Sequence, residues 1–504
     1  MSILRIPLAN PIESRSANLA KDAVSSNCYF ESKSGVKEIV KRPGTTEVEI
    51  TGDTFGGQGH AGRGLYAWQG SGNDYLYVVS QGIVYKVSTT GVSTTIGTLH
   101  AGAAKVSFNQ TATVPYLVLN DTIKLYTIKT DDTFASVTSL SSIMFSINST
   151  GLAPGIAYID GFTVVMTKEG RIYNSDIEDP TSWNALNFVT AEAEPDLGKG
   201  IVKHLNYVVA FGEWSTEFFY DAANPTGSPL SRNDTARLEI GCADGNSIAL
   251  IEQSVLWVGK SKEHGKSVYM LNGLAPTLVS TPSIERFLNA SSELRGYSFK
   301  IEGHTFYILV LEDLDLSFCF DVNEKQWYNW SSASIVNQQP AIVGIAIAGK
   351  ATVGSTGSGQ VVAETYFRPG YFSEFNNGYY SLDDDTSKIY IISTTVYRDG
   401  TNPIYFRSRT PIIDHGSTKL KFYRSIEIVG DKVNGTMQMR HTGDDYNTYS
   451  SARSTNLNNK RSVLFKLGAD RRRAWEFTCT DNVPVRIQAA EIDVDIGHME
   501  GQGA

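Results

Sequence analysis

Short apolar runs alternate with turn residues along most of this 504-residue chain. The recurring unit is an apolar strand, a turn at Gly or Asn, and a second strand that ends near Tyr or Phe. Units of this kind are YLYVVSQGIVYKV from Tyr75, PYLVLNDTIKLYTI from Pro115, IAYIDGFTVVMTKEGRIY from Ile156, HLNYVVAFGEWSTEFFY from His204, ALIEQSVLWVGKSKEHGKSVYML from Ala249, SFKIEGHTFYILVLEDLDLSFCFDV from Ser298 and GIAIAGKATVGSTGSGQVVAETY from Gly344. Short runs that are bounded by turn residues are typical of strands, so the pattern predicts an all-β protein.

The spacing of the repeated turns indicates which β architecture to expect. The turn markers are Gly82, Asn120, Gly161, Asn206, Gln253, Gly303 and Gly349, which lie 38 to 50 residues apart. That spacing matches the roughly 40–50 residues of a propeller blade. A single four-stranded sheet cannot bury both faces, whereas radially packed blades cover one another. The sequence therefore predicts a β-propeller of six or seven blades over residues 63–362, with an irregular sandwich as the alternative.

The rhythm changes after about residue 363. Asp399-Gly400 and Asn434-Gly435 lie between strand-like runs and are strong hairpin signals. Residues 363–504 are therefore predicted to form a β-sandwich-like docking or platform domain. Residues 1–62 are expected to carry the first strands and to pack on the propeller or close it. The best helix candidate is Ser283–Gly296, a short amphipathic segment.

Charge and composition exclude several classes of protein. The net charge is −9, and all of the excess acid lies in residues 1–362, with 26 basic against 35 acidic groups; residues 363–504 hold 18 of each. No basic tract or Lys/Arg-striped helix is present, which argues against a protein that grips nucleic acid through its phosphates. An uninterrupted apolar stretch long enough to span a bilayer is also lacking. We therefore expect no membrane partner and folding in a reducing cytosol.

The residues that usually carry chemistry are scattered. Cys28, Cys242, Cys319 and Cys479 are far apart and form no CxxC pair, so we expect buried free thiols. No GxSxG, HExxH or P-loop motif is present, and the Gly-rich stretch FGGQGHAGRG (Phe55–Gly64) is followed by neither a predicted helix nor a Lys. The sequence therefore predicts a protein with no catalytic residues, no metal and no cofactor.

Residues 170–196 read GRIYNSDIEDPTSWNALNFVTAEAEPD and concentrate acidic groups around Trp183 and Phe188. The acidic residues are Asp176, Glu178, Asp179, Glu192, Glu194 and Asp196. A glycosidase pair or a calcium loop would need carboxylates at defined positions, and a sialidase-type turn would need Gly where Pro180 stands. The structural interpretation is that Asp179 and Pro180 start a turn and that Trp183 anchors a blade connection.

The densest basic run is Arg471, Arg472 and Arg473. These arginines could pair with acidic groups on a neighbouring subunit, which makes them candidate interface residues. A solvated turn is the alternative.

Several segments resemble one known family. RIYNSDIEDPTSWNALNFVTAEAEPDLGKGIV followed by VVAFGEWSTEFFYD is similar to the packaged-DNA stabilisation and tail-nozzle proteins of short-tailed bacteriophages. Further matching segments are SRSANLAKDAVSSNCYFE, IVKRPGTTEV, VSTPSIERFLN, FRSRTPIIDHGSTKLKFYRSIEI and RRRAWEFTCTDNVPVRIQAAEIDV. No single segment is as specific as a metal-ligand motif, so the order and number of the matches carry the resemblance.

The resemblance implies a structural virion protein of the tail, assembled in the host cytoplasm. It implies a homo-oligomeric ring, expected to be a hexamer, that forms the tube below the portal and the adaptor ring, retains packaged DNA and conducts it during ejection. The implied neighbours are the adaptor ring, a tail needle or plug, and tail fibres or tailspikes, with double-stranded genomic DNA in the lumen and no sequence-specific binding. The alternatives are a glycan-binding or glycan-cleaving virion propeller and a generic protein-binding scaffold.

Overall fold

The computed structural model describes residues 2–8, 23–33, 35–57, 59–70, 73–192, 194, 196–336, 354–355 and 361–497. Strands account for 57% of it and helices for 5%, which confirms the all-β prediction. The chain forms two compact units. Unit 1 comprises Met1–Thr46, Leu314–Phe367 and Ile392–Ala504, and unit 2 comprises Glu47–Asp313 and Arg368–Ile391.

Unit 2 carries the blades of a six-blade β-propeller, at the lower end of the predicted range. Blade 1 holds Thr51–Gly52, Gly62–Gly70, Asn73–Ser80, Ile83–Ser88 and Val92–Thr98; blade 2 holds Ser107–Gln110, Tyr116–Asn120, Leu125–Lys129 and Phe134–Ser136. Blade 3 holds Ala157–Ile159, Phe162–Met166, Arg171–Asp176 and Asp179–Thr190; blade 4 holds Gly198–His204, Tyr207–Gly212, Thr216–Asp221 and Leu230–Leu238. Blade 5 holds Gly241–Cys242, Ala249–Ile251, Ser254–Lys260, Ser267–Asn272 and Ala275–Leu278, and blade 6 contributes Leu294–Ile301 and His304–Leu311.

The core of unit 2 lies between neighbouring blades. Val79 of blade 1 shares a buried cluster with Leu117 of blade 2, and Val164 of blade 3 shares one with Val208 of blade 4. The second strand of a blade is covered on both faces, so it reads as a continuous apolar run, as in Phe162–Met166. Stacking therefore buries what one sheet alone would expose, as the repeat argument required.

The predicted turn markers do not all occupy equivalent turns. Gly161 and Gly303 lie between the first and second strands of their blades. Gly82 and Asn120 lie instead where the second strand leads into the third. The predicted repeat length was therefore right, but the markers moved from the turn after the second strand to the turn after the first strand beyond blade 2. Apolar strands of similar length resemble one another in sequence, so the pattern could not tell the two turns apart.

The helices are short. Helix α1 spans Thr138–Ser146 and helix α2 spans Pro282–Ala290. The sequence predicted α2, which starts with Pro at its first turn, but extended it to Gly296, and Leu294 already begins a strand of blade 6. The serine-rich α1 was missed because its intrinsic helix propensity is weak. Two 3-10 turns, Gly245–Ser247 and Glu312–Leu314, complete the helical elements of the described chain.

A hairpin from the distant segment Arg368–Ile391 lies between blade 1 and blade 6. Its strands are Pro369–Phe375 and Gly378–Asp383, and we call it the closing hairpin. The backbone NH of Ala67 in blade 1 donates to Ser373 Oγ at 2.9 Å. On the other side, Phe372 stacks on Phe299 of blade 6 with ring centroids 4.4 Å apart. The ring of blades is therefore closed by a segment that follows blade 6 by more than fifty residues.

Unit 1 contains two packed sheets, as the sandwich prediction required. One sheet orders Cys28–Lys33, Val36–Lys41, Arg486–Ile496, Lys421–Gly430 and Ser462–Phe465, with Ser2–Pro7 and Ala469–Asp470 paired beside this path. The other contains Gln326–Asn329, Val24–Ser26, Phe406–Arg409, Ala474–Cys479, Thr436–Thr442 and Arg453–Asn456. Further strands of unit 1 are Leu316–Asp321, Ser331–Val336, Gly354–Ser355, Val361–Tyr366, Arg398–Asp399 and Asn402–Pro403. The strands Gly44–Glu47 and Ile389–Ser393 each include residues of both units. Tyr423 of the first sheet contacts Trp475 of the second edge to face at 5.5 Å.

The unit boundaries differ from the predicted domains 1–62, 63–362 and 363–504. The first strands do not close the propeller, because Leu4 pairs with Ile492 and Ile39 with Ile487 in the sandwich. Residues 314–362 belong to unit 1, and residues 368–391 belong to unit 2. Pairing across more than 400 residues leaves no trace in local periodicity, so the sequence pattern could not place these segments.

Of the two predicted hairpin turns, one is confirmed and one is wrong. Asp399 pairs with Asn402 across Gly400, whose φ of 56° is the left-handed conformation that a tight hairpin turn favours. Around Asn434-Gly435, the strands Lys421–Gly430 and Thr436–Thr442 belong to different sheets. Neither Asn434 nor Gly435 has a positive φ, so this segment crosses between sheets. The repeat predicted from Gly344 falls mostly outside the described residues.

Candidate functional site

The acidic stretch 170–196 is mainly part of blade 3. Arg171–Asp176 and Asp179–Thr190 are the third and fourth strands of that blade, joined by a tight turn at Ile177 and Glu178. Glu178 has a φ of 56°, and its backbone NH donates to Gly161 O at 2.7 Å. The expectation that Asp179 and Pro180 start a turn is therefore corrected: the turn lies at Ile177 and Glu178, and Asp179 and Pro180 begin the outer strand of the blade.

Trp183 lies in the core between blades 2 and 3. Its side chain is 7% exposed and packs in one cluster with Leu140 and Met144 of helix α1. The indole Nε1 donates to Pro180 O at 2.8 Å, so the polar edge of the ring is satisfied inside the same strand. Ser139 at the start of α1 donates to Thr181 O at 2.8 Å. The helix that connects blade 2 to blade 3 is thus held against the Trp183 strand.

The carboxylates of the stretch are used at separate places. Asp176 accepts from Ser182 Oγ at 2.6 Å, and Asp179 accepts from the backbone NH of Thr181 at 2.9 Å. Glu194 pairs with Lys262 at 2.6 Å, a contact that lowers the pKa of Glu194. Within the residues that the structure describes, no group of three or more His, Cys, Asp or Glu side chains is arranged to hold a metal ion.

A repeated contact ties blade connections to blades. The carboxylate follows the second strand of a blade and accepts hydrogen bonds from the connection that leads into that blade. Asp121 of blade 2 accepts from His100 N at 3.1 Å, Glu169 of blade 3 from Thr150 N at 2.7 Å, and Asp313 of blade 6 from Ser292 N at 2.7 Å. Such charge-assisted bonds to backbone NH groups fix a loop strongly. We call these three contacts the carboxylate staples.

Blade 4 uses the same contact in reverse. Asp196 of the connection accepts from the backbone NH groups of Trp214 and Ser215, at 2.7 Å and 3.1 Å, in the turn after the second strand. Asp196 therefore has a structural partner, as the turn interpretation of the acidic stretch required.

At two of the staple carboxylates, Glu169 and Asp313, hydrogen bonding outweighs the effect of burial on the pKa. Burial alone would raise the pKa of Glu169, but hydrogen bonds from Thr150 and Ser149 lower that pKa to about 2. The pKa of Asp313 is lowered in the same way by Ser291 and Ser292. Sequence reasoning missed all three staple residues, Asp121, Glu169 and Asp313, although an acidic residue within three positions of the end of an apolar second strand was a visible signal.

The predicted interface arginines do not form one patch. Arg473 is 1% exposed, donates from Nε to Asp470 Oδ2 at 2.7 Å, and lies 4.1 Å from the ring of Tyr423. Arg472 is exposed and pairs with Asp445, and Arg471 is exposed. Arg473 is therefore removed from the candidate interface, because its guanidinium is already desolvated and bonded inside unit 1.

Other buried charges in unit 1 are also paired. Glu476 is fully buried, and Arg407 and Arg440 bind its two oxygens at 2.6 Å and 2.5 Å. Burial raises the pKa of Glu476, but the two arginines lower it further than burial raises it. Arg42 donates to Asp399 at 3.0 Å and lies 4.8 Å from the ring of Phe367. These groups serve the sandwich interior and have no ligand-facing geometry.

The four cysteines are free and buried, as predicted. Burial raises the pKa of each thiol, to about 12 for Cys242, so the thiols stay protonated and unreactive at neutral pH. Neither α1 nor α2 of the described chain has the length and apolar character needed to cross a bilayer.

Comparison with known proteins gives one strong match. The model of a family described as Bacteriophage P22 Gp10, beta-propeller, matches residues 18–363, well over half of the chain. A search of curated proteins found no significant match. The fold search returned the crystal structure of the computationally designed Ika8 protein, at 13% identity over 69% of this chain and 99% of that one, with a TM-score of 0.38. It also returned BBS1N in complex with ARL6DN, soaked with lead, at 9% identity over 70% and 98% of the two chains, with a TM-score of 0.40. These two structural likenesses are too weak to carry any argument.

Proposed function

The chain belongs to the phage stabilisation family of β-propeller proteins, and from that premise we propose that it forms the tail nozzle of a short-tailed phage. In this role, identical subunits form a ring below the portal and adaptor that retains packaged DNA and conducts it during ejection. The observation that carries the proposal is the family match over residues 18–363, which spans all six blades. The match itself establishes that the chain belongs to a bacteriophage family with a structural role.

Two features of the structure support a rigid scaffold. The carboxylate staples fix the connections into blades 2, 3 and 6, and the closing hairpin bridges blade 1 and blade 6.

Many cations of unit 2 are already paired with carboxylates, as in Arg232–Glu217 at 2.7 Å and Lys260–Glu213 at 2.6 Å. Paired cations are poor phosphate ligands, which suits a wall that DNA passes without tight binding.

The oligomeric state tests this proposal directly. We expect the purified full chain to form a ring, a hexamer by the proposal, either alone or on addition of the adaptor ring. Mass measurement by native mass spectrometry or light scattering, with and without the adaptor, gives the subunit number. Electron microscopy of virions then locates the ring in the tail. A chain that stays monomeric with the adaptor present, or that is absent from the tail, contradicts the nozzle proposal.

A glycan-handling propeller is the second candidate, and one groove motivates it. A cavity of about 190 Å³ is lined by Glu252, Glu374, Phe372 and Tyr379, which are residue types that sugar sites use. Two of these groups already have protein partners: Glu252 pairs with Lys300 at 2.8 Å, and Phe372 stacks on Phe299. This arrangement favours the structural role, and an assay of host polysaccharide binding and hydrolysis separates the two candidates.

A further inference from the structure

A positively charged pocket lies where the connections into blades 3, 4 and 5 meet. Its volume is about 380 Å³, and its walls include Pro154, Lys168, Lys199, Asp244 and Gly245. A second cavity of about 150 Å³ shares Pro154 and Gly245 and reaches Lys105 among the first strands of blades 2 and 4. We call the two adjoining cavities the channel pocket. Since one water takes about 30 Å³ of liquid volume, this space admits a small ion or an acidic side chain.

Main chain forms much of the wall. A Cβ atom on Gly245 would lie 1.8 Å from Lys199 O, and a Cβ atom on Gly198 would lie 2.6 Å from Thr167 O. No side chain fits at either glycine, so the loops pack backbone to backbone. The lysines that line the pocket are therefore mounted on closely packed strands and turns, which limits how far they can retreat from a ligand.

The cations of the channel pocket have spare hydrogen-bonding capacity. Within the described chain, the ammonium groups of Lys168 and Lys199 make no hydrogen bond and no ion pair. Lys105 donates to Gly296 O at 3.0 Å, which leaves two of its three donors for a ligand. Burial, with Arg295 nearby, lowers the pKa of Lys105 to about 8. A bound anion would offset that desolvation.

The neighbouring carboxylates are largely occupied. Asp244 accepts from the backbone NH of Asn246 at 2.9 Å and faces that of Leu294 at 3.5 Å. Glu169, next to Lys168, is the staple that binds Ser149 and Thr150. Three lysines and one carboxylate, Asp244, thus line the channel pocket, in the part of the chain that carries all of the net negative charge.

The charge of Arg295, near Lys105, is compensated separately. Glu312 pairs with Arg295 at 2.6 Å, and Asp384 lies 3.4 Å from it. The positive charge of the channel pocket therefore comes from its lysines, and Asp244 is the lining carboxylate that acts on Lys105 and Lys199. A concave site with low-dielectric walls focuses such a field on a small ligand.

We propose that the channel pocket binds an anionic oxygen-bearing group, a carboxylate or a phosphate, between Lys105, Lys168 and Lys199. The carboxylate would come from an acidic side chain or chain end of another protein, and the phosphate from free inorganic phosphate. This binding is separate from the proposed passage of DNA, because the pocket lies within the blades of one subunit.

The experiment is calorimetric titration of the purified full chain at low ionic strength with two probes. The probes are inorganic phosphate and a blocked Glu-Asp dipeptide. The test variant is Lys168→Gln with Lys199→Gln. The matched control is Lys262→Gln with Lys300→Gln, two exposed lysines that pair with Glu194 and Glu252 outside the pocket. Replacing Lys168 and Lys199 by Arg tests whether charge alone is sufficient.

We expect saturable binding of at least one probe to the wild type and to the control variant. Affinity should fall at least tenfold in the Gln variant and return in the Arg variant. The probe that binds identifies the source of the anion. Absence of saturable binding of both probes overturns the proposal, and so does equal affinity of the wild type and a Gln variant whose thermal unfolding is unchanged. Equal loss in the control variant also overturns it, because the effect would then be a general one of net charge.

Discussion

Trp183 is the side chain on which the packing of blade 3 against helix α1 most depends. Replacing Trp183 by Ala removes a 7%-exposed indole from the cluster that contains Leu140 and Met144, and leaves a cavity. We expect the free energy of unfolding of Trp183→Ala to fall by about 3–5 kcal/mol, as for other buried Trp to Ala changes. Chemical denaturation followed by circular dichroism measures this change.

The acidic groups near Trp183 provide the matched control. Asp176 and Glu192 are exposed, so Asp176→Ala with Glu192→Ala should change the free energy of unfolding by less than about 1 kcal/mol. Elemental analysis of the same double variant tests the structural interpretation independently. Loss of a bound metal in the variant would show that the acidic stretch is a site and not architecture.

We expect His441 to make the stability of the sandwich sensitive to mild acid. Burial, with Arg473 nearby, lowers the pKa of His441 from 6.5 to about 4 in the folded state. Between these values the unfolded chain binds more protons than the folded chain, so the free energy of unfolding falls as the pH decreases from 6.5 to 4. We expect a loss of about 1–3 kcal/mol that His441→Gln reduces and His264→Gln, a change at an exposed histidine, does not. Unfolding curves over this pH range would refute the idea if all three proteins showed the same slope.

At the residue scale, the sequence predicted burial correctly for side chains whose residue type alone favours the interior. The large apolar Trp183 and the four isolated cysteines were assigned to the interior from residue type alone. It failed for Arg473, because a charged residue in a run of three arginines reads as surface. Its burial depends on Asp470 and Tyr423, whose proximity only the folded sandwich creates.

At the scale of the element, the carboxylate staples are a contact that recurs at the connections into three blades of the propeller. Glu169→Gln keeps the shape of the side chain but removes the charge that Thr150 and Ser149 bind. We expect faster hydrogen exchange in the connection between blades 2 and 3 and a loss of about 1 kcal/mol at pH 7. Glu192→Gln, at an exposed carboxylate in the connection between blades 3 and 4, is the control.

The pH dependence of this staple has a defined sign. The folded pKa of Glu169, about 2, lies below its ordinary value of 4.5. Its stabilising contribution is therefore present above pH 4.5 and is lost as the pH falls through 2. The difference between wild type and Glu169→Gln should shrink over that interval, and a constant difference would contradict the staple.

The closing hairpin supplies the contacts between blade 1 and blade 6. Phe372→Ala removes the ring that stacks on Phe299, and we expect a loss of about 2 kcal/mol, less than for a fully buried ring. Hydrogen exchange should rise in Gly62–Gly70 and Leu294–Ile301 and remain unchanged in blade 3. Phe145→Ala, at a phenylalanine that is 85% exposed, is the matched control. Exchange that rises equally in all blades would show that the hairpin does not act locally.

The elements that the sequence predicted well are those with local signals. Blade strands, their spacing and the Asp399-Gly400 hairpin follow from periodicity and turn chemistry over a few residues. The closing hairpin and the pairing of Ser2–Pro7 with Arg486–Ile496 depend on contacts between segments far apart in sequence. A single sequence contains no periodic signal for such contacts, so the domain boundaries were displaced.

At the scale of the whole molecule, charge distribution bears on the proposed handling of DNA. Residues 1–362 have a net charge of −9, and several cations of unit 2 are held by carboxylates, as in Arg232–Glu217 and Lys86–Asp132. DNA carries about one charge per 1.7 Å of helix axis, so a wall of free lysines and arginines would release counterions and hold the duplex. The paired cations of unit 2 cannot do so strongly.

We therefore expect the assembled protein to confine double-stranded DNA while binding it weakly. Free duplex titrated against the purified ring over a salt series should bind no tighter than micromolar, with a shallow dependence on salt. Submicromolar and steeply salt-dependent binding would show that the wall grips the phosphates. Retention is a separate measurement: particles assembled without the protein should lose DNA, since the ring and its plug close the exit. Particles that keep their genome equally well without the protein would leave it a structural role in the virion but not the retention of DNA.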